Sequence, residues 1–263
     1  MDGITPRMVR EQKADEAFST AMADFAVKLF QNRLLADGES EGENVLMSPL
    51  SVMLALAMTA NGAEGETRTE MESLLGSGLS IEELNGYLHT YMDDLPSSRD
   101  SRLQIANSIW FRDAAEFTVV PDFLQVNADY YGAEIRKEPF DESTVGKING
   151  WVKDHTDSMI KEIIREISPD TMMYLINALA FDAKWEEEYE KHNVYDHPFT
   201  SWSGETYDVT MMSSTESWYL DDGSAVGFVK PYKGGHYSFA ALLPNAALAN
   251  PVYGVSTTCS TRK

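Results

Sequence analysis

The sequence has a single cysteine, half as many basic as acidic side chains, and no long apolar run. Cys259 has no second cysteine to pair with, so an intrachain disulfide is excluded. The 263 residues carry 42 acidic and 21 basic side chains, a formal charge of -21, which argues against nucleic acid or an anionic membrane as a partner. No apolar run approaches the roughly 20 residues of a membrane span. A chain of this length is nevertheless long enough to bury a sizeable core, as one large domain or two small ones.

The usual signatures of catalysis and cofactor binding are also missing. Neither a GxxxxGK(S/T) phosphate loop nor a GxGxxG dinucleotide fingerprint occurs. Gly223-Ser224 falls in a predicted hairpin turn and not in a GxSxG elbow. His155 lies on the apolar face of a predicted helix, which favours a packed side chain over a catalytic base. We therefore predict that the protein is not an enzyme and binds no cofactor.

Two histidines raise the hypothesis of a metal-binding site at one place in the chain. His192 and His197 flank Asp196, with Glu186–Glu188 nearby. The spacing fits no ordinary zinc pattern, so a solvated acidic loop is the favoured interpretation and no metal site is predicted.

One apolar stretch, Thr171–Trp185 (TMMYLINALAFDAKW), is the most informative part of the sequence. Both alternating sets of positions are apolar, which is typical of a strand covered on both faces and predicts a central strand of the main sheet. Periodicity alone does not exclude a buried helix, but Pro169 before the run and Lys184–Trp185 at its end favour a bounded strand. Asn177 is the polar exception. A buried side-chain amide is costly unless partners satisfy it, so this residue needs a polar neighbour from elsewhere in the chain.

Helix signals dominate the first 160 residues. Ser48 is a predicted N-cap with Pro49 in the first turn, and Ser80 to Glu83 forms a predicted capping box. The predicted helices are about 14–36, Ser48 to Asn61, Glu64–Leu75, one from Ser80, Pro121 to Gly132, and one through Ile148, Val152, His155 and Met159 that lies across the sheet. The predicted strands in this part are Asn44–Met47, Leu103–Phe111 and Ala133–Lys137.

The chain after residue 186 has a different texture, with short β segments separated by turn signals. The predicted strands here are Thr206–Met212, Tyr219–Asp222, Ala225–Tyr232 and Tyr237–Leu243.

Several of these segments, in consistent order from about residue 14 to 245, resemble the serpin family. NVLMSPLSVMLALAMTANGAEGETRTEM (44–71) is similar to the serpin shutter helix and its continuation, and LQIANSIWF (103–111) to a strand of the main sheet. TMMYLINALAFDAKWEEEYE (171–190) is similar to the next strand and the breach that follows it. VTMMSS (209–214) and VGFVKPYKGGHYSFAALLPN (226–245) resemble later strands of the smaller sheets.

The resemblance implies an α+β fold, with N-terminal helices packed on a large mixed or antiparallel sheet plus smaller β-sheets. It places Trp185 at the breach and five residues at the shutter, which are Asn44, Ser48, Pro49, Ser51 and Asn177. It also implies a suicide-substrate inhibitor of serine (or cysteine) proteases, in which a cleaved loop inserts as an extra strand of the main sheet. Small hydroxyls at the start of the Ser48 helix would be the partners that Asn177 needs. The resemblance to serpins favours an extracellular location, although the N-terminal segment shows no signal peptide.

The resemblance stops at Asn245, which divides the chain into an incomplete serpin-like domain (1–245) and a tail (246–263). No small-residue hinge run occurs in the tail, and it has no Asp or Glu. We therefore expect no reactive-site loop in this chain, no protease trapping by it alone, and sheet edges open to self-association. The alternative is a non-inhibitory serpin remnant that acts as a binding or structural protein.

Overall fold

A computed structural model of the chain describes residues 4–36, 45–201 and 203–245. The backbone forms two compact units. The first contains Met1–Phe30, Met47–Leu95 and Leu103–Phe181, and the second contains Gln31–Leu46, Pro96–Arg102 and Asp182–Lys263. Within the described ranges, no helix is long and apolar enough to cross a membrane.

Helices dominate the first part of the chain and strands the part after α6. In order they are α1 (Glu16–Ala36), α2 (Pro49–Ala60), α3 (Gly65–Gly76), α4 (Ile81–Asp94), β1 (Ser101–Arg112), α5 (Pro121–Tyr131), β2 (Glu134–Glu138), α6 (Glu142–His155), β3 (Met173–Ala183), a 3-10 turn (Lys191–Asn193), β4 (Val194–Thr200), β5 (Thr206–Met212), β6 (Trp218–Asp221), β7 (Ala225–Pro231) and β8 (Ser238–Pro244). The predicted α+β class is confirmed.

Helix ends in the first unit follow local sequence chemistry. The Ser48 hydroxyl accepts a hydrogen bond from the Ser51 N–H, and the Ser80–Glu83 capping box forms with both of its hydrogen bonds. Gly132 ends α5 in the left-handed region at φ 58, where a glycine has no Cβ penalty. These caps fix where α2 and α4 begin and where α5 ends.

The sheet of the first unit has the strand order β2-β1-β3. Strand β2 runs parallel to β1, with Ser108 opposite Glu134 and Arg112 opposite Glu138. The predicted strand within Thr171–Trp185 is present as β3, but its predicted central position is wrong for the described residues, because β1 lies in the middle and β3 at the edge. One long side of β3 therefore has no hydrogen-bonded strand beside it within the described ranges.

Both faces of β3 are covered, as its double apolar pattern predicts. Met173 and Leu175 pack against the large helical core, whose fully buried members include Leu54, Met58 and Leu124. Ile176 and Ala178 belong to a second buried cluster with Trp110 of β1 and with three α6 residues, Ile148, Trp151 and Val152. Helix α6 therefore packs on the sheet face opposite the other helices.

The second unit is built from antiparallel strands. Strands β4 and β5 form a hairpin with Val194 opposite Met212 and Thr200 opposite Thr206, while β6, β7 and β8 form a three-stranded sheet. In that sheet a Cβ at Gly227 would lie 2.0 Å from the Ala241 carbonyl oxygen, so only glycine permits this close approach of β7 to β8.

Two local predictions are wrong. Residues 45–47 of the predicted strand Asn44–Met47 are irregular, and Asn44 lies outside the described residues. The last predicted helix ends at His155 and does not reach Met159, because Asp157 and Ser158 have positive φ values of 47 and 64. Met159 is consequently exposed.

Candidate functional site

The candidate site of the first unit lies where the start of α2 meets β3. Ser48 caps the helix through its hydroxyl, 3.3 Å from the Ser51 nitrogen, and Pro49 occupies the first helical position without an N–H to satisfy. The Ser51 hydroxyl, in the first turn of α2, is the group that reaches the strand.

Asn177 of β3 is bonded at both ends of its amide. Its Oδ1 accepts from the Ser51 hydroxyl, and its Nδ2 donates to Asn107 Oδ1 over 2.8 Å. Asn107 in turn donates through Nδ2 to the Tyr131 carbonyl over 2.8 Å. The amide that looked costly in the sequence is therefore held by partners on α2 and β1, which hold β3 in one register against its neighbours.

The polar chain continues through the Tyr131 side chain into the helices. Tyr131 Oη donates to Asn85 Oδ1 over 2.5 Å, Asn85 Nδ2 donates to Asn61 Oδ1 over 2.7 Å, and Asn61 Nδ2 donates to Asn127 Oδ1 over 3.0 Å. Burial raises the pKa of Tyr131, so the phenol remains a neutral donor at any physiological pH. Hydrogen bonds thus run from β3 through β1 and α5 to the ends of α2 and α4.

Sequence reasoning found Ser51 and Asn177 but missed the asparagines that extend the network. Asn107, like Asn177, is an amide side chain among the apolar positions of a predicted strand, so the same reasoning could have identified it. Asn61 and Asn85 gave no such signal, since an asparagine at a helix end or on a helix surface is usually solvated. The structure brings Ser48, Pro49, Ser51 and Asn177 together, while Asn44 lies outside the described residues.

Trp185 is the centre of an aromatic cluster in the second unit. Its ring stacks on Tyr232 with centroids 4.4 Å apart and an interplanar angle of 10°, and it meets Phe239 edge-on at 5.9 Å. The backbones of Trp185 and Tyr232 form an isolated antiparallel bridge. These contacts join the segment after β3 to the β7–β8 turn.

Lys230 is 2% exposed and lies against the rings of this cluster. Its Nζ is 2.6 Å from Glu216 Oε1, 4.6 Å from the Tyr189 ring centroid and 5.6 Å from the Trp185 ring centroid. Burial alone would raise the pKa of Glu216, but the hydrogen bonds from Lys230 and Ser214 outweigh it and hold the pKa below its usual value. Glu216 is therefore ionised at neutral pH, and its ion pair with Lys230 lies against the Tyr189 and Trp185 rings.

His155 makes packing and polar contacts within the first unit. The His155 ring lies 4.3 Å from the Trp151 ring centroid, with Nδ1 2.7 Å from the Trp151 carbonyl and Nε2 3.2 Å from Glu134 Oε1. Across the described ranges, no group of three or more His, Cys, Asp or Glu side chains is arranged to hold a metal ion.

Comparison with known proteins identifies the family to which this architecture belongs. A sequence model of the serpin (serine protease inhibitor) family matches residues 20–253. Human neuroserpin is 30% identical over 239 residues, which cover 85% of this chain and 57% of that protein. The leukocyte elastase inhibitor of Equus caballus is 30% identical over 239 residues, which cover 88% of this chain and 62% of that protein. The chain therefore belongs to the serpin family.

Solved structures agree with this family and with the fold. The native state of the thermophilic serpin tengpin superimposes with a TM-score of 0.88 at 49% identity, covering 96% of this chain and 64% of that one. A structure of a loop C-sheet serpin polymer gives a TM-score of 0.87 at 49% identity, covering 96% and 66% respectively. The chain thus spans about two thirds of these structures and 57 to 62% of the two curated relatives.

Proposed function

We propose that this chain provides the strand-accepting part of a serpin-type inhibitor of serine (or cysteine) proteases, and that it is not an enzyme. In such an inhibitor the protease cleaves an exposed loop, and the loop then adds to the main sheet and carries the acyl-enzyme with it. The residues proposed for this role are the shutter set, Asn44, Ser48, Pro49, Ser51 and Asn177, and the breach residue Trp185.

The observation that carries the proposal is the position of Asn177. It lies on β3, which has no strand on one long side among the described residues, and its amide is held by Ser51 and Asn107. A strand that must move aside needs partners that can pair again in the new position, and hydroxyls and amides carry both donors and acceptors for this. Tengpin, 49 to 51% identical to this chain, is known in both a native and a latent state, so a closely similar sequence supports two states of this fold.

We propose further that residues 1–245 form an incomplete serpin domain, that residues 246–263 are a tail outside it even though the family model aligns as far as residue 253, and that the 263-residue chain traps no protease by itself. The proposed extracellular location rests on family habit alone.

A chimera tests the inhibitory proposal. Residues 1–245 of this chain are joined to the part of tengpin that follows the equivalent of Asn245, and the product is incubated with a panel of serine proteases. We expect a covalent complex that survives boiling in SDS with at least one protease. The same protease with its catalytic serine replaced by alanine is the control and should give none.

Two results would overturn the proposal. If the chimera folds but every protease merely cleaves it, the scaffold does not support inhibition. If the 263-residue chain alone forms the SDS-stable complex, the assignment of the tail is wrong.

A second role, self-association, is favoured by the exposed apolar side chains of the second unit. Phe199, Tyr207, Trp218, Leu242 and Leu243 are 48 to 68% exposed, and one relative of 49% identity is described as a loop C-sheet polymer. Sheet edges with such side chains add strands from other molecules. Light scattering across a hundredfold dilution series should show a concentration-dependent mass, and a constant monomer mass would exclude this role.

A further inference from the structure

A large cavity in the first unit has no part in the proposed inhibitory role. It has a volume of about 910 Å³ and lies between the end of α2, one face each of α3, α4 and α5, and the start of β3. Small-molecule sites in proteins usually measure about 300–1,000 Å³, with an apolar lining and a few placed polar groups. The size alone is therefore that of a site for a small organic molecule.

The walls of the cavity are mainly apolar. Met71 of α3, Phe123 of α5 and the loop residue Phe117 form one side, and Met173 and Leu175 of β3 form the other. Each of these five side chains is only partly buried in the core of the unit, so each has surface left to cover. A ligand body that fills this space would gain roughly 25 cal/mol for each Å² of apolar surface removed from water.

Two amides give the cavity its polar wall. Asn85 is 2% exposed, and Asn61 lies beside it. The two N–H groups of Asn61 donate to Asn85 and Asn127, and Asn61 Oδ1 accepts one hydrogen bond from Asn85. Asn85 Oδ1 accepts from Asn61 and from Tyr131. An amide offers two donors and two acceptor sites. Among the hydrogen bonds that join described residues, one N–H of Asn85 and one lone pair of Asn61 Oδ1 are not used, and these are the groups offered to a ligand.

The charges around the cavity select against anions. Among the described residues that line it, Arg68 is the one cation, and its guanidinium is held by Glu72 at 3.0 Å and Glu82 at 2.6 Å. The carboxylates of Glu64 and Asp122 lie at the rim. An anionic ligand would meet like charge there, and a charged group of either sign would be desolvated against neutral amides inside.

We propose that this cavity is a binding site for a neutral amphiphile, an apolar or aromatic molecule with one uncharged hydrogen-bonding group. The apolar body packs on Phe117, Phe123, Met173 and Leu175, and the polar group bonds to Asn61 and Asn85. Met173 and Leu175 precede Asn177 by four and two residues on β3, so a bound molecule also stabilises this end of the strand.

The test compares two fluorescent probes that share one ring system. N-phenyl-1-naphthylamine is neutral with a single N–H donor, and 1-anilinonaphthalene-8-sulfonate is the same molecule with a sulfonate added. Titration of the 263-residue chain should show one saturable site that binds the neutral probe at least tenfold more tightly than the sulfonate. At ten times the dissociation constant the neutral probe should raise Tm by about 3 °C, and it should slow amide hydrogen exchange over residues 173–177.

Matched variants distinguish the cavity from exposed apolar surface elsewhere. Thr67 and Thr69 are both exposed on α3, but only Thr67 lines the cavity. Thr67→Trp should close the mouth and weaken binding of the neutral probe at least tenfold, while Thr69→Trp should leave it unchanged. Far-UV circular dichroism verifies that both variants fold.

Three outcomes would overturn the proposal. Equal binding of the two probes would show that charge does not select the ligand. Equal effects of Thr67→Trp and Thr69→Trp would place the probe outside the cavity. Unchanged hydrogen exchange at 173–177 in the saturated protein would show that the bound probe does not contact β3.

Discussion

At the scale of single residues, the side-chain amide of Asn177 links more of the first unit than any charged group does. Asn177 sits in a strand that is otherwise apolar, and it is tolerated because Ser51 and Asn107 meet its acceptor and its donor. Removing such a residue costs more than the bonds themselves are worth, because partners that are left unpaired lose their hydration without compensation.

Asn177→Ala should therefore lower the free energy of unfolding by about 1–3 kcal/mol. Ser51→Ala should also destabilise, but the double variant should cost less than the sum of the two, because both substitutions break the same hydrogen bond. Urea unfolding of the four proteins measures the coupling. Strict additivity would mean that the two side chains do not interact in solution.

Lys230 and Glu216 form the second informative pair at this scale. Their side chains are 3% and 13% exposed, so neither charge can recover full hydration if the other is removed. Glu216→Gln should destabilise the protein by about 3 kcal/mol, measured by chemical unfolding followed by tryptophan fluorescence.

The compensating variant gives the control for this pair. Glu216→Gln combined with Lys230→Met removes the stranded ammonium and should restore most of the lost stability, since an apolar side chain of similar length suits a buried position. If Lys230→Met fails to rescue, the loss comes from packing around Glu216 and not from an unpaired charge.

At the scale of elements, the segment before α1 is fastened to two helices. Arg7 donates to Asp129 of α5 from its backbone nitrogen at 2.8 Å and from Nη2 at 2.6 Å, and the Gln12 N–H donates to Thr90 Oγ1 of α4 at 2.8 Å. Burial alone would raise the pKa of Asp129, yet the hydrogen bonds from Arg7 and Gln125 and the Arg7 charge outweigh it and hold the pKa below its usual value.

This lowered pKa predicts how the segment responds to acid. The stabilisation is present above the unfolded-state pKa of about 3.9 and is lost as pH falls through the lower folded-state pKa. Asp129→Asn should therefore have a lower Tm than the parent at pH 6, and the difference in Tm should shrink as the pH is lowered below about 3.9. A Tm difference that stays constant from pH 6 to pH 3 would contradict the role of the charge.

Elements were the scale at which sequence reasoning succeeded best. Capping chemistry located α2, α4 and α5 because Ser48, Ser80 and Gly132 act through their immediate neighbours. It failed where the outcome depends on distant contacts. The residues after Asn44 look like a strand but have no paired strand in the described range, and the edge position of β3 depends on which strands are present beside it.

The candidate site was also predictable only in part from the sequence. Asn177 and Ser51 could be paired in advance because an amide in an apolar strand needs a partner and a buried helix start offers hydroxyls. The Asn61–Asn85–Asn127 cluster could not be found, because it depends on where three helix surfaces meet. The cavity beside it is likewise a property of packing and has no local sequence signal.

At the scale of the whole molecule, β3 is a strand of the sheet that is paired on one side and, among the described residues, open on the other. The chain covers 64 to 66% of two similar solved structures, and within its described residues the sheet ends at β3. A formal charge of -21 opposes close approach of two copies, so the open side should remain available in dilute solution.

Residue-resolved amide hydrogen exchange of the dilute 263-residue chain tests this claim most directly. A half-paired strand predicts alternating protection along Met173–Ala183, with slow exchange at amides that donate to β1 and fast exchange at those that face the open side. Uniform protection, or the three- and four-residue pattern of a helix, would contradict it.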